Sequence, residues 1–223
     1  MLRWALIYAT VSLGFVPLLV FLYRGRSNPE VRFMLPFFWL LAVAALYEWV
    51  ATILLSVNST VWFRFYLLFE FLCLYYFFFH LLRKKYRYVF GFFLSVFLVV
   101  FAYLLTVWEQ SDKYKTDSYL SIIETLFVFT CVFLWFRDIF KNLLVESLWK
   151  SPVFYFISAF ILYFSGTIFL FLISDFIADN KLAQFNHYWV LNVALCFLLR
   201  ILLIIGIWKG QTKSIQFSGL GHS

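Results

Sequence analysis

Apolar residues in this chain fall in long continuous runs, not in the alternation of half-buried strands or the one-sided stripes of surface helices. A hydrocarbon core of about 30 Å is crossed by about 20 helical residues. By that ruler the chain holds seven spans, at 3–23, 33–56, 62–82, 87–107, 118–136, 152–173 and 187–208. The fifth is the shortest. Polar breaks separate them, among them RGRSNPEVR, RKKYR, EQSDKYKTD, RDIFKNLLVESLWK and SDFIADNK. Barrel strands would show about ten alternating residues each. Continuous runs predict helices, which satisfy their backbone hydrogen bonds internally as lipid demands. The expected fold is therefore an all-α bundle of seven transmembrane helices over residues 1–208. A polar tail follows at 209–223, KGQTKSIQFSGLGHS, and is expected to be disordered.

Prolines refine the pattern. Pro17 predicts a kink in the first span. Pro36 and Pro152 open the second and sixth spans, and each is followed at the same offset by Leu-Tyr, a short echo of an internal repeat. The first run is too long for the apolar core of a secretory signal, and no A-x-A-like site follows it. It reads as a span.

Composition agrees with a lipid environment. The chain is 65% hydrophobic and 13% charged, against roughly 45–50% and about 25% in soluble domains. Its net charge of +7 is distributed by side. The breaks after spans one, three and five, with the start of the tail, carry twelve of the 18 lysines and arginines. The other side holds Arg3, Arg64, Lys113, Lys115 and Lys181, and Arg200 lies within a span. The positive-inside rule puts the richer side in the cytoplasm, with the N-terminus outside and the C-terminus inside. That side suits an anionic inner leaflet, and no nucleic-acid partner is needed to explain the charge.

Three acidic residues break the apolar runs. Glu48, Glu70 and Glu124 lie in helices running in both directions, yet each is roughly 9–12 Å below the outer boundary at 1.5 Å per residue. Three helices thus send a carboxyl to one layer. In the seventh span Tyr188, Asn192, Cys196 and Arg200 recur every four residues as a polar stripe. Asn192 is expected to reach the carboxylate layer, with Arg200 deeper, about 20 Å from the outer end. Ionisable groups at the membrane centre cost about 2.5–3.5 kcal/mol each on insertion scales and generally mark pathways or sites. A carboxyl avoids that cost by staying protonated. Glu48, Glu70, Glu124, Asn192 and Arg200 are therefore the candidate ligand- or proton-binding residues. The competing reading makes them interhelical glue, at about 0.6 kcal/mol per hydrogen bond.

Other chemistries find little support. No HExxH or P-loop is present. All nine lysines lie in breaks or the tail, so no span offers a Schiff-base amine. Ser165-Gly166 has no histidine at matching depth to activate it. Cys73, Cys131 and Cys196 form no CxxC pattern and read as packed thiols. His80 and His187 read as interfacial caps. Asp175 and Asp179 read as a solvated loop, although they would share a face if the helix continued. No metal or cofactor is expected, and an enzyme is the weakest class.

The whole chain resembles small seven-helix integral membrane proteins of bacteria without assigned activity. The resemblance is carried by YEW in the second span, SIIE in the fifth, SPVFYFISAFILYFSG in the sixth and YWVLNVALCFLLRIL in the seventh. It implies a bacterial inner-membrane location and a sensory or accessory role beside a signalling partner, and it implies no catalytic residues. Two functions are expected. The first is a receptor- or sensor-like module with an outward-facing polar pocket, acting through a partner. The alternative is a proton- or cation-coupled transporter using the same carboxylates.

Overall fold

A computed structural model describes residues 2–24, 28–55, 60–106, 113–142, 148–180 and 182–210. Among them are seven helical segments long and apolar enough to cross a membrane. The tail beyond Gly210 lies outside the described residues.

The first span is two helices, α1 (Leu2–Leu13) and α2 (Val16–Arg24). The cause is Pro17, which has no N–H to offer the Leu13 carbonyl and whose ring crowds it. The chain tightens into a turn, with the Gly14 amide donating to the Val11 carbonyl at 3.0 Å. A short helix, α3 (Pro29–Arg32), follows. Asn28 caps it by accepting from the Glu30 amide, and Pro29 supplies the preset φ of a first helical position. The second span is α4 (Leu35–Tyr47), which widens into a π-helical stretch over Glu48–Leu54. The remaining spans are α5 (Thr60–Leu82), α6 (Arg87–Thr106), α7 (Lys113–Asn142), α8 (Pro152–Asn180) and α9 (Leu182–Lys209).

Two boundaries differ from the sequence reading. The fifth span, expected to be the shortest, has an apolar window over Ser118–Lys141, 24 residues long, within a helix of 30 residues. The helix runs on past Phe136 because Arg137 and Asp138 find partners. Lys85 Nζ and the Tyr86 hydroxyl donate to Asp138 Oδ1 at 2.9 and 2.7 Å, and Arg137 Nη2 donates to the Tyr86 hydroxyl at 2.6 Å. The sixth span likewise continues as helix through Asn180, so Asp175 and Asp179 stand one turn apart on α8 and not in a loop. Their side chains, like that of His187, lie outside the described residues.

Six spans close a ring. The first span packs on α9, α9 on α8, α8 on α7, α7 on α5, α5 on α4, and α4 returns to α2. α6 stands outside this ring against α5 and α7. Accordingly α6 has the least buried apolar window, at 22%, and α7, enclosed on three sides, the most buried, at 56%. The basic segments gather at one end. There Asn28 Nδ2 donates to the Gly210 carbonyl at 2.9 Å, and the Lys85–Asp138 pair joins the turn after α5 to the end of α7.

Phenylalanines fill the half of the ring nearest that basic end. Phe71, Phe78, Phe90 and Phe93 all meet the ring of Phe127 at centroid distances of 5.2–6.0 Å. Phe77 and Phe160 continue the layer towards Phe156 and Phe37 through edge contacts. Edge-to-face pairs of this kind add about 0.5–1.5 kcal/mol each beyond the area they bury.

Candidate functional site

Above this phenylalanine layer lies the polar one. Glu70 follows Tyr66 by one turn on α5, which sets the phenol beside its carboxyl. Glu124, on α7, lies within electrostatic reach of Glu70. Both are sealed from solvent, at 2% and 1% exposure. Oε1 of each is buried without a hydrogen-bond partner among the described residues, as is the Ser121 hydroxyl one turn before Thr125. Glu48 is half-buried at the point where α4 turns π-helical, and it faces Arg200. π-helical segments often coincide with functional sites. On α9, Cys196 lies one turn from Arg200, within electrostatic reach of Glu48 and Glu70 and beside Tyr163 of α8.

Arg200 occupies a position set by the break in the first span. Because the Gly14 amide turns to Val11, the Thr10 carbonyl loses its usual helical donor. Arg200 Nη1 donates to that carbonyl. Thr10 is seven residues into the first span, 3–23, and Arg200 thirteen into the seventh, 187–208. At 1.5 Å per residue their backbones sit about 10 and 20 Å deep, a gap that a long arginine side chain narrows by reaching along the helix. The sequence reading left Arg200 beneath the layer. Its guanidinium instead reaches the level of Thr10, within electrostatic reach of Glu48 and Tyr66. All six ring members therefore contribute to one polar centre: Thr10, Glu48, Glu70, Glu124, Tyr163 and Arg200.

Asn192 is the candidate that does not join. It is two turns from Arg200 on α9, and no hydrogen bond among the described residues links it to the carboxylates, its Oδ1 being buried without a partner. Arg64 is the inward-facing residue that the charge count alone does not single out. Counted among the bases of the outer side, it is 3% exposed, while its neighbours Phe63 and Phe65 are 40% and 38% exposed. α5 is thus turned so that Arg64 faces inward. A signal existed: Arg64 precedes Phe71 by seven residues and so shares its helical face.

Aromatic pairs flank Glu48. Tyr47 stacks on Trp62 of α5 at 4.5 Å, and Trp49 meets Tyr8 of α1 at 5.7 Å. Among the described residues no group of three or more metal-ligating side chains comes together.

Fold and site together define a multi-pass helical membrane protein with a buried polar centre. No family model matches the chain, and no curated protein or solved structure is significantly similar to it.

Proposed function

We propose that this protein is a receptor- or sensor-like module of a bacterial inner membrane, signalling through a partner. The lysine- and arginine-rich end would face the cytoplasm and the polar centre would communicate with the outside. The observation that carries this reading is the tie between Arg200 and the Thr10 carbonyl at the joint of the first span, beside Glu48. A charge change at Glu48 would bear directly on a backbone joint, and through it on the packing of α1, α4 and α9. The phenylalanine layer beneath favours access from one side only, as a sensor needs. The basic end would meet a protein partner.

Cross-linking in native membranes tests this. A specific partner, cross-linked at the segments around Lys85 and Lys150, is the expected result. Recovery of no partner at several cross-linker lengths would refute it.

A second reading, a proton- or cation-coupled transporter, is favoured by the interrupted first span and the π-helical second span. Broken helices near mid-membrane recur in transporters. It requires solute or proton flux in proteoliposomes that disappears in Glu70→Gln or Glu124→Gln.

A further inference from the structure

We propose that Glu70 and Glu124 form a proton-binding pair that holds a proton at neutral pH, functionally separate from the Glu48–Arg200 pair, so that the ligand of the polar centre is the proton. This deepens the sensor reading and rests on it.

The inference starts from what each carboxyl is given. An ionised carboxylate offers about four acceptor sites. Among the described residues the Tyr66 hydroxyl lies beside Glu70. One oxygen of each carboxyl is buried with no partner, in side chains more than nine-tenths buried. Two carboxylates would therefore repel one another in apolar surroundings with half their oxygens unsatisfied. At an effective dielectric of 20, unit charges 4 Å apart interact by about 4 kcal/mol. A single proton removes that repulsion by leaving one carboxyl neutral. Arg200 does not relieve the pair by contact, because it is engaged by the Thr10 carbonyl and faces Glu48.

Other titratable and charged groups stand around the pair, and Arg64, six residues before Glu70, faces inward nearer the start of α5. α5 brings Tyr66 and Cys73, α8 brings Tyr163, α9 brings Cys196 and Arg200, and the π-helical stretch brings Glu48. Thiols and phenols ordinarily titrate near about 8.5 and 10 and arginine above about 12, so the carboxyls are the groups that exchange protons near neutrality. Phe71 and Phe127 close the basic-end side of the pair, which leaves the opposite end as the route of exchange. Loss of the proton would set two like charges across the α5–α7 contact and push these helices apart. α7 also packs on α8 and α6, so the displacement would spread.

Infrared spectroscopy of the purified protein in lipid tests the proposal without a partner. The wild type should show the C=O absorption of at least one protonated carboxyl per chain at pH 7, lost as pH rises. Glu70→Gln and Glu124→Gln should each shift this band, the double variant should remove it, and Glu48→Gln should leave it in place. Absence of the band in the wild type, or its survival in the double variant, would overturn the proposal. Should the double variant fail to fold, the wild type suffices. An apolar carbodiimide adds across a protonated carboxyl to leave a stable N-acylurea, and peptide mapping should place the adduct on Glu70 or Glu124. An adduct on Glu48 alone, or on none of the three, would likewise overturn it. The two readings fail separately. A proton band without a cytoplasmic partner removes the sensor, whereas a partner without the band removes the proton.

Discussion

Gly14→Ala gives a direct handle on the joint of the first span. A Cβ built at Gly14 lies 2.7 Å from the Cβ of Ala45 on α4 and 3.0 Å from the Val11 carbonyl oxygen. Carbon atoms rest about 3.5–4.0 Å apart, so the overlap with Ala45 is about 1 Å. An alanine Cβ has no rotamer to adopt, and relief requires the backbones of the first and second spans to separate. Overpacking of this kind costs about 1–3 kcal/mol, and about 2 kcal/mol corresponds to a roughly 30-fold fall in the folded-to-unfolded ratio. Denaturant titration in mixed micelles would read it. Two controls make the reasoning exposed. Adding Ala45→Gly to the variant removes the opposing atom and should recover most of the loss, since residues in contact couple while distant ones add. Gly91→Ala on α6 meets nothing within 4 Å and should match or exceed the wild type, because alanine is about 0.8–1.0 kcal/mol the better helix former. If Gly14→Ala unfolds like the wild type, or Ala45→Gly rescues nothing, the joint is not held by this contact.

Two further predictions concern the basic end. Asn28→Ala should destabilise the chain by about 2–3 kcal/mol, combining loss of a helix cap with a buried Gly210 carbonyl left without its donor. Asn28→Asp keeps the cap and should recover only part, and equal unfolding midpoints for the two variants would contradict this division. Burial holds the Glu30 carboxyl above its ordinary value. The unfolded chain therefore ionises first as pH rises. The stability owed to the neutral carboxyl is full below the ordinary value, about 4.3, and is lost upward from there until the folded group ionises too. Glu30→Gln should flatten this loss in detergent melts taken from pH 4 to 8, and an unchanged slope would exclude Glu30 as its source.

The seven spans were legible because each run of apolar residues answers to one length, the thickness of hydrocarbon, and needs no knowledge of neighbours. Pro17 likewise announces the break in α1 and α2 through chemistry local to its ring. The common depth of Glu70 and Glu124 could be counted along the chain. What could not be counted was rotation about each helix axis and the reach of long side chains. Arg64 and Arg200 show this from opposite sides. The first sits at a helix edge and turns inward, while the second starts deep and climbs to the carboxylates. Asn192 has the right depth and, among the described residues, its Oδ1 finds no partner in the layer. The π-helical widening at Glu48 left no mark in EWVATIL that distinguishes it from an ordinary helix. The end of the fifth span was hidden because Arg137 and Asp138 look like a solvated break until Lys85 and Tyr86, about fifty residues earlier, are placed beside them.

The closure of the ring has a consequence for how the protein is made. α9 follows the other six described spans in chain order, yet it supplies the arginine that meets the Thr10 carbonyl 190 positions away and the neighbour that Glu48 faces. Until it arrives, six helices sit in the bilayer with three acidic side chains and no counter-charge from the missing wall, and with the first span's free carbonyl open. Such an assembly is loosely held at the place where the finished molecule is tightest. Its lifetime, and the attention it draws from insertases and membrane proteases, is set by the delay before one helix slots in.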